Sequence, residues 1–136
     1  MNSTLIALAH FASYEGERPA VRTADGVSSY ADLYDAARLV ALALVNANVK
    51  VAALAADNGP AWLAVDLGAQ LADVVLVPLP GYFSPEQLSH ALADSGADAL
   101  IAAPAMAERL SFLTGPHAPS TDLVAGLRLY GLPPAM

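Results

Sequence analysis

The chain's 136 residues suffice for one domain with a real core and are too few for two ordinary ones. Only 14% of residues are charged against 56% hydrophobic, with mean hydropathy +0.47, so either part of the outside is buried against other protein or the composition is simply Ala-rich. The net charge of −7, with Lys50 as the one lysine, excludes the clustered cations of a nucleic-acid or polybasic membrane surface, and the lack of cysteine excludes disulfides and thiolate chemistry.

Residues 3–14 carry Leu5, Leu8, Ala9 and Ala12 near helical spacing, which predicts a short N-terminal helix. PAVRTADGVSS (19–29) reads as two short strands about an Asp25-Gly26 turn. Ser29 then caps a helix with Asp32 at its third position, and Leu33, Ala37, Val40 and Leu44 form the inner stripe before the helix fades near Asn46 to Asn48. VKVAALAAD (49–57) is a nearly continuous apolar run, the pattern of a strand buried on both faces. Asn58-Gly59-Pro60 breaks it and opens a helix to about Ala72, apolar on most sides and so expected to be covered on more than one.

VVLVPL (74–79) is the next predicted strand. The helix from Ser84 to Ser95 is signed by Ser84 as cap, Pro85 behind it, Gln87 at the third position and Gly96 past the end. DALIAA predicts another buried strand, and Pro104 opens a short helix to Leu110. SFLTGPHAPST (111–121) reads as a surface loop, LVAGLRLYG (123–131) as one more strand and LPPAM as a tail. Strands alternating with helices predict an α/β fold, a three-layer sandwich with a mostly parallel βαβαβ sheet, plus the N-terminal helix and hairpin.

Chemistry is sparse. Neither GxGxxG nor GxxxxGK[ST] occurs, so no loop is built to cradle a phosphate. Asp57 ends a strand that Lys50 begins, so the two cannot form a response-regulator acidic site. His10, His90 and His117 have no metal-ligand spacing. Ser28, Ser29 and Ser84 are turn and cap residues, and the Glu15/Glu17 and Asp32/Asp35 pairs read as solvated faces. The start, MNSTLIALAHFASYEGERP, lacks the basic region of a secretory signal. No apolar run reaches the roughly 18 residues of a membrane helix, so a cytoplasmic chain without a membrane span is expected.

The order of parts resembles the N-terminal portion of adenylate-forming, AMP-binding acyl-CoA synthetases and related ligases. SSYADL (28–33) is similar to their first core motif, [TS]-Y-x-E-L, with Asp32 in place of Glu. VAALAADNGPAWLAVDLGAQLADVVLVPLP resembles the following stretch, and FSPEQLSHALADSGADALIA resembles the [YF]-[ST]-P-E-[EQ]-L segment after it. The likeness covers about residues 15–103. It departs from the pattern at Ala72-Asp73, where the family usually has Ala-Gly, and around Asn46 to Val51, where a Gly-Asp-containing turn is shortened.

The resemblance implies that residues 1–110 are the N-terminal α/β subdomain of a ligase and 111–136 a loop, a possible last strand and a truncated tail. Met1 reads as a native start, and LPPAM ends shortly before the family's phosphate loop would be expected. A full-length relative uses ATP, Mg and coenzyme A or phosphopantetheine; this chain alone is expected to hold none of them and to be catalytically inactive. No catalytic residue or metal site is implied. Gly81, Tyr82 and Arg109 are the substrate-binding candidates, on the thiol-acceptor side. Expected partners are the remainder of the ligase or a second copy met through an exposed apolar face, and no nucleic acid. The alternatives are a stand-alone degenerate binding or scaffolding domain acting with a partner chain, and an unrelated flavodoxin-like domain.

Overall fold

The structure, a computed structural model, describes residues 2–57, 59–114 and 120–132. Helix α1 (Ser3–Tyr14) is capped by Asn2, whose side chain accepts from the Leu5 N–H, and it buries Leu5 and Leu8. Strands β1 (Pro19–Thr23) and β2 (Gly26–Ser29) form a separate antiparallel hairpin. Helix α2 (Tyr30–Asn46) starts with the capping box anticipated from Ser29 and Asp32: the serine hydroxyl accepts from the Asp32 N–H, and the Asp32 carboxylate accepts from the Ser29 N–H. Its buried stripe is Leu33, Ala37, Val40 and Leu44.

Strand β3 (Val51–Ala55), helix α3 (Pro60–Leu71), strand β4 (Val75–Pro78), helix α4 (Pro85–Ser95) and strand β5 (Ala99–Ala102) follow as the expected βαβαβ unit. Helix α4 carries a second capping box, Ser84 with Gln87, and ends on Gly96 in the left-handed conformation at φ 70°. Short helices α5 (Pro104–Arg109) and α6 (Ser111–Thr114) lead to strands β6 (Ser120–Asp122) and β7 (Arg128–Gly131). Asn58, His117 and residues 133–136 lie outside the described residues.

The main sheet runs β4-β3-β5-β7-β6. Strand β3 pairs in parallel with β4 and β5, whereas β7 is antiparallel to both β5 and β6. The expected mostly parallel sheet is therefore mixed. Strand β6 itself runs parallel to β5, but β7 follows it across a short turn and lies between the two, and strands joined by a short turn can pair only antiparallel, as a hairpin.

That hairpin corrects two further expectations. Residues 111–114 are helical and 120–122 are strand, not loop, and 123–131 is a turn followed by a strand. Ala125 and Gly126 both take positive φ, 51° and 78°, and the Leu127 N–H donates to the Val124 carbonyl at 2.9 Å, as in a type I′ turn.

Alternation along β3 and β5 builds the three layers. Ala52, Leu54, Ala99 and Ile101 join Val40, Leu44, Val65 and Ala69 of α2 and α3 on one face. On the other, Ala53, Ala55, Leu100 and Ala102 meet Leu92 of α4 and Ala107 of α5. Helix α3 is covered twice, since Ala64 and Leu67 turn away from the sheet into a third cluster with Leu5, Leu8, Leu33 and Ala37. Gly68 sets how close α2 and α3 come: a β-carbon there would lie 2.7 Å from the Ala37 carbonyl oxygen and 2.6 Å from Val40 Cβ.

Candidate functional site

The carboxyl ends of β3, β4 and β5 converge on one cavity of about 380 Å³. From β3 the chain moves outward to β4, then crosses back over β3 to β5. Connections leaving neighbouring strands in opposite directions open a crevice between them, the usual place for ligands in open α/β sheets. Here the crevice is walled by Ala55 to Asp57, by Leu79 to Gly81 and by Ala103, each at or just past a strand end. Phe83 and Leu88 of the α4 side, with Met106 and Arg109 of α5, close it.

Of the three candidates from sequence, the fold brings two together. Gly81 and Arg109 both line this cavity, although they lie on different connections. Tyr82 does not: it is 84% exposed, with its ring edge-on to Phe83 at 5.5 Å between centroids. Sequence reasoning did not pick out Asp57 as a cavity residue. Its place at the end of an apolar strand is the signal that marks it, since strand ends in α/β sheets point to the crevice. Asp57 and Arg109 are the charged residues of the lining, and both are exposed; the rest is apolar apart from backbone.

Among the described residues neither a phosphate cradle nor a metal-holding cluster is formed. A phosphate cradle needs glycines that let backbone N–H groups approach an anion closely. At Gly59 and Gly81 a β-carbon would meet nothing within 4 Å, and neither lies in the left-handed region, Gly59 being extended at φ 162°, so close approach does not demand glycine at either position. No group of three or more His, Cys, Asp or Glu gathers among the described residues in a way that could hold a metal ion. Nor is any polar or charged side chain buried among them, so the desolvated acid, base or nucleophile of an active site has no candidate. His90 pairs with Asp94 at 3.0 Å on the exposed side of α4, and His10 sits against Phe11 and Tyr14 on α1. Lys50 lies just before β3 and Asp57 past its far end, roughly 20 Å away at strand rise.

Fold and crevice thus define a three-layer α/β domain with a largely apolar cleft at the carboxyl ends of its parallel strands. A family model described as AMP-binding enzyme matches residues 8–127, and the chain belongs to that family. Its fold matches that of the N-terminal domain of adenylate-forming enzymes. No curated protein sequence matches it. Among solved structures it is similar to the N-terminal domain of FACL13 from Mycobacterium tuberculosis, with 21% identity and a TM-score of 0.73 over 88% of this chain and 32% of that one. A benzoate CoA ligase from Burkholderia xenovorans LB400 gives 24% identity and a TM-score of 0.72 over 82% and 23%. ATP-bound MatB from Rhodopseudomonas palustris gives 23% and 0.69 over 82% and 23%. At these identities the structural likeness speaks for the fold, and the chain spans about a quarter to a third of each solved relative. No helix among the described residues is long and apolar enough to cross a membrane.

Proposed function

We propose that this chain is the N-terminal subdomain of a carboxylate-activating ligase and is catalytically inactive by itself. In such ligases a carboxylate attacks the α-phosphate of ATP, displacing pyrophosphate, and a thiol of coenzyme A or a carrier protein then takes the acyl group. Charge developing on a phosphoryl group must be met by cations, metal and oriented N–H donors. The observation that carries the reading is the family match over residues 8–127 joined to a cleft whose charged lining is one aspartate and one arginine. Carboxylate-dependent ATP–pyrophosphate exchange by the purified 136-residue chain is expected to stay at background. Exchange above background with any carboxylate would overturn the reading.

Within that reading Gly81, Tyr82 and Arg109 belong to the thiol-acceptor side, with the Arg109 guanidinium meeting an anionic group of the acceptor. Support comes from the shared cavity of Gly81 and Arg109 and from the exposed Tyr82 beside its mouth-forming neighbour Phe83. Titration of coenzyme A tests the assignment: binding that Arg109→Gln weakens about tenfold, the scale of a lost charge-assisted hydrogen bond, would support it. No binding at millimolar coenzyme A would remove all three assignments. A second reading, a stand-alone scaffolding domain of the same fold, is favoured by one observation: the sheet is covered on both faces by helices of this chain.

A further inference from the structure

Helix α2 is apolar almost all the way round. From Ala36 to Val45 its one polar residue is Arg38. The inner stripe is buried in the core, yet Leu39, Leu42 and Val45 on the outer side are 61%, 59% and 60% exposed. They line a broad groove of about 590 Å³ with Leu71 and Ala72 at the end of α3. A helix apolar on all sides is normally a covered helix. The opposite helix layer is different: α4 shows solvent Glu86, Gln87, His90 and Asp94.

We propose that this face of α2 pairs with the same face of a second copy, the two helices running antiparallel about a two-fold axis at Leu42. The sequence of α2 is self-complementary in that register. Asp35, Arg38, Leu42 and Val45 recur at spacings of three, four and three, the seam of two packed helices. With Leu42 on the axis, Leu39 of each copy meets Val45 of the other, so six large aliphatic side chains leave water together. Arg38 falls opposite Asn46, the last residue of the other helix. That last turn has no basic residue of its own, and a cation there is favoured by the helix dipole. Asp35 reaches just past the same end, beside the exposed Lys50. The two Arg38 positions stay about 12 Å apart along the seam and do not repel strongly.

The sheet edge is a poorer route to association. Val75 and Leu79 donate their N–H groups to Lys50 and Leu54 on the β3 side, so by alternation the backbone groups of Leu76 and Pro78 point outward along the free edge. Pro78 has no N–H to offer a new strand, which blunts β4 as natural edges often are. Overlap of the α2 helices from Arg38 to Asn46 is short, and the dimer belongs among small, reversible interfaces. It does not depend on the ligase reading, since pyrophosphate exchange and association are measured separately.

Sedimentation of the 136-residue chain across a concentration series is expected to show a monomer–dimer equilibrium. Leu42→Asp, at an exposed position that leaves the core intact, weakens association at least tenfold with unchanged circular dichroism. Because the chain lacks cysteine, Leu42→Cys places its one thiol on the axis, and mild oxidation yields a disulfide-linked dimer. Ile6→Cys, equally exposed on α1, does not cross-link. A chain that stays monomeric throughout, as it would if this face served only the rest of a ligase polypeptide, overturns the proposal. So does a dimer that survives Leu42→Asp or fails to cross-link through Leu42→Cys.

Discussion

Asp73 follows α3 in the left-handed conformation, at φ 57°, and holds the end of the helix there. Its N–H donates to the Gln70 carbonyl and that of Val74 to Ala69, the paired bonds of a Schellman ending. Asn48 does the same after α2 at φ 56°, with its own N–H to Val45 and that of Val49 to Leu44. Both places where the sequence departs from its family's pattern are therefore helix ends, and at Ala72-Asp73 the family's glycine would occupy this left-handed site. A residue with a β-carbon is strained there, while glycine is not. Asp73→Gly is expected to raise unfolding stability by about 0.5–1 kcal/mol, the strain relieved less glycine's larger chain entropy. Urea denaturation measures it, and a loss of stability would mean that the Asp73 side chain contributes something beyond its backbone.

Elements whose ends are capped were legible from residues three apart. Ser29 with Asp32 and Ser84 with Gln87 mark the starts of α2 and α4 where they occur, because a cap is a contact between neighbours in sequence. Ser84→Ala removes the acceptor for the Gln87 N–H and is expected to cost about 1 kcal/mol in the same urea assay. An unchanged midpoint would show that Gln87 alone holds the N-terminus of α4. The β6–β7 hairpin was not legible. Its turn is Ala125-Gly126 in place of the Asn-Gly or Asp-Gly that announces a type I′ turn, and alanine carries no preference for positive φ. Strands of three and four residues are also too short to show alternation.

At the scale of the whole molecule, β3 and β5 place alternate residues in the two clusters on either side of the sheet, and α3 links one of these to the α1–α2 cluster. No cluster can come apart without uncovering a neighbour. Trp62 lies at the junction on α3, packed against the sheet-side cluster. Its fluorescence and far-ultraviolet circular dichroism are expected to report one coincident urea transition, the mark of two-state unfolding. Separate midpoints would divide the chain into independently stable parts. The crevice depends on the same arrangement, since its walls come from three strand ends and from helices α3 to α6.

The sequence by itself determined the βαβαβ core and both capping boxes, because these rest on periodicity and on contacts a few residues long, and its motifs marked the family. It also pointed to the turn after β4 as the place where a site would lie. Only the tertiary structure decided the antiparallel direction of β7, the exposed outer face of α2, and which candidates meet. Gly81 and Arg109 share a cavity while Tyr82 faces solvent beside it. Those outcomes depend on pairing between segments tens of residues apart, where strand partner and side-chain direction follow from how the layers close rather than from any local pattern.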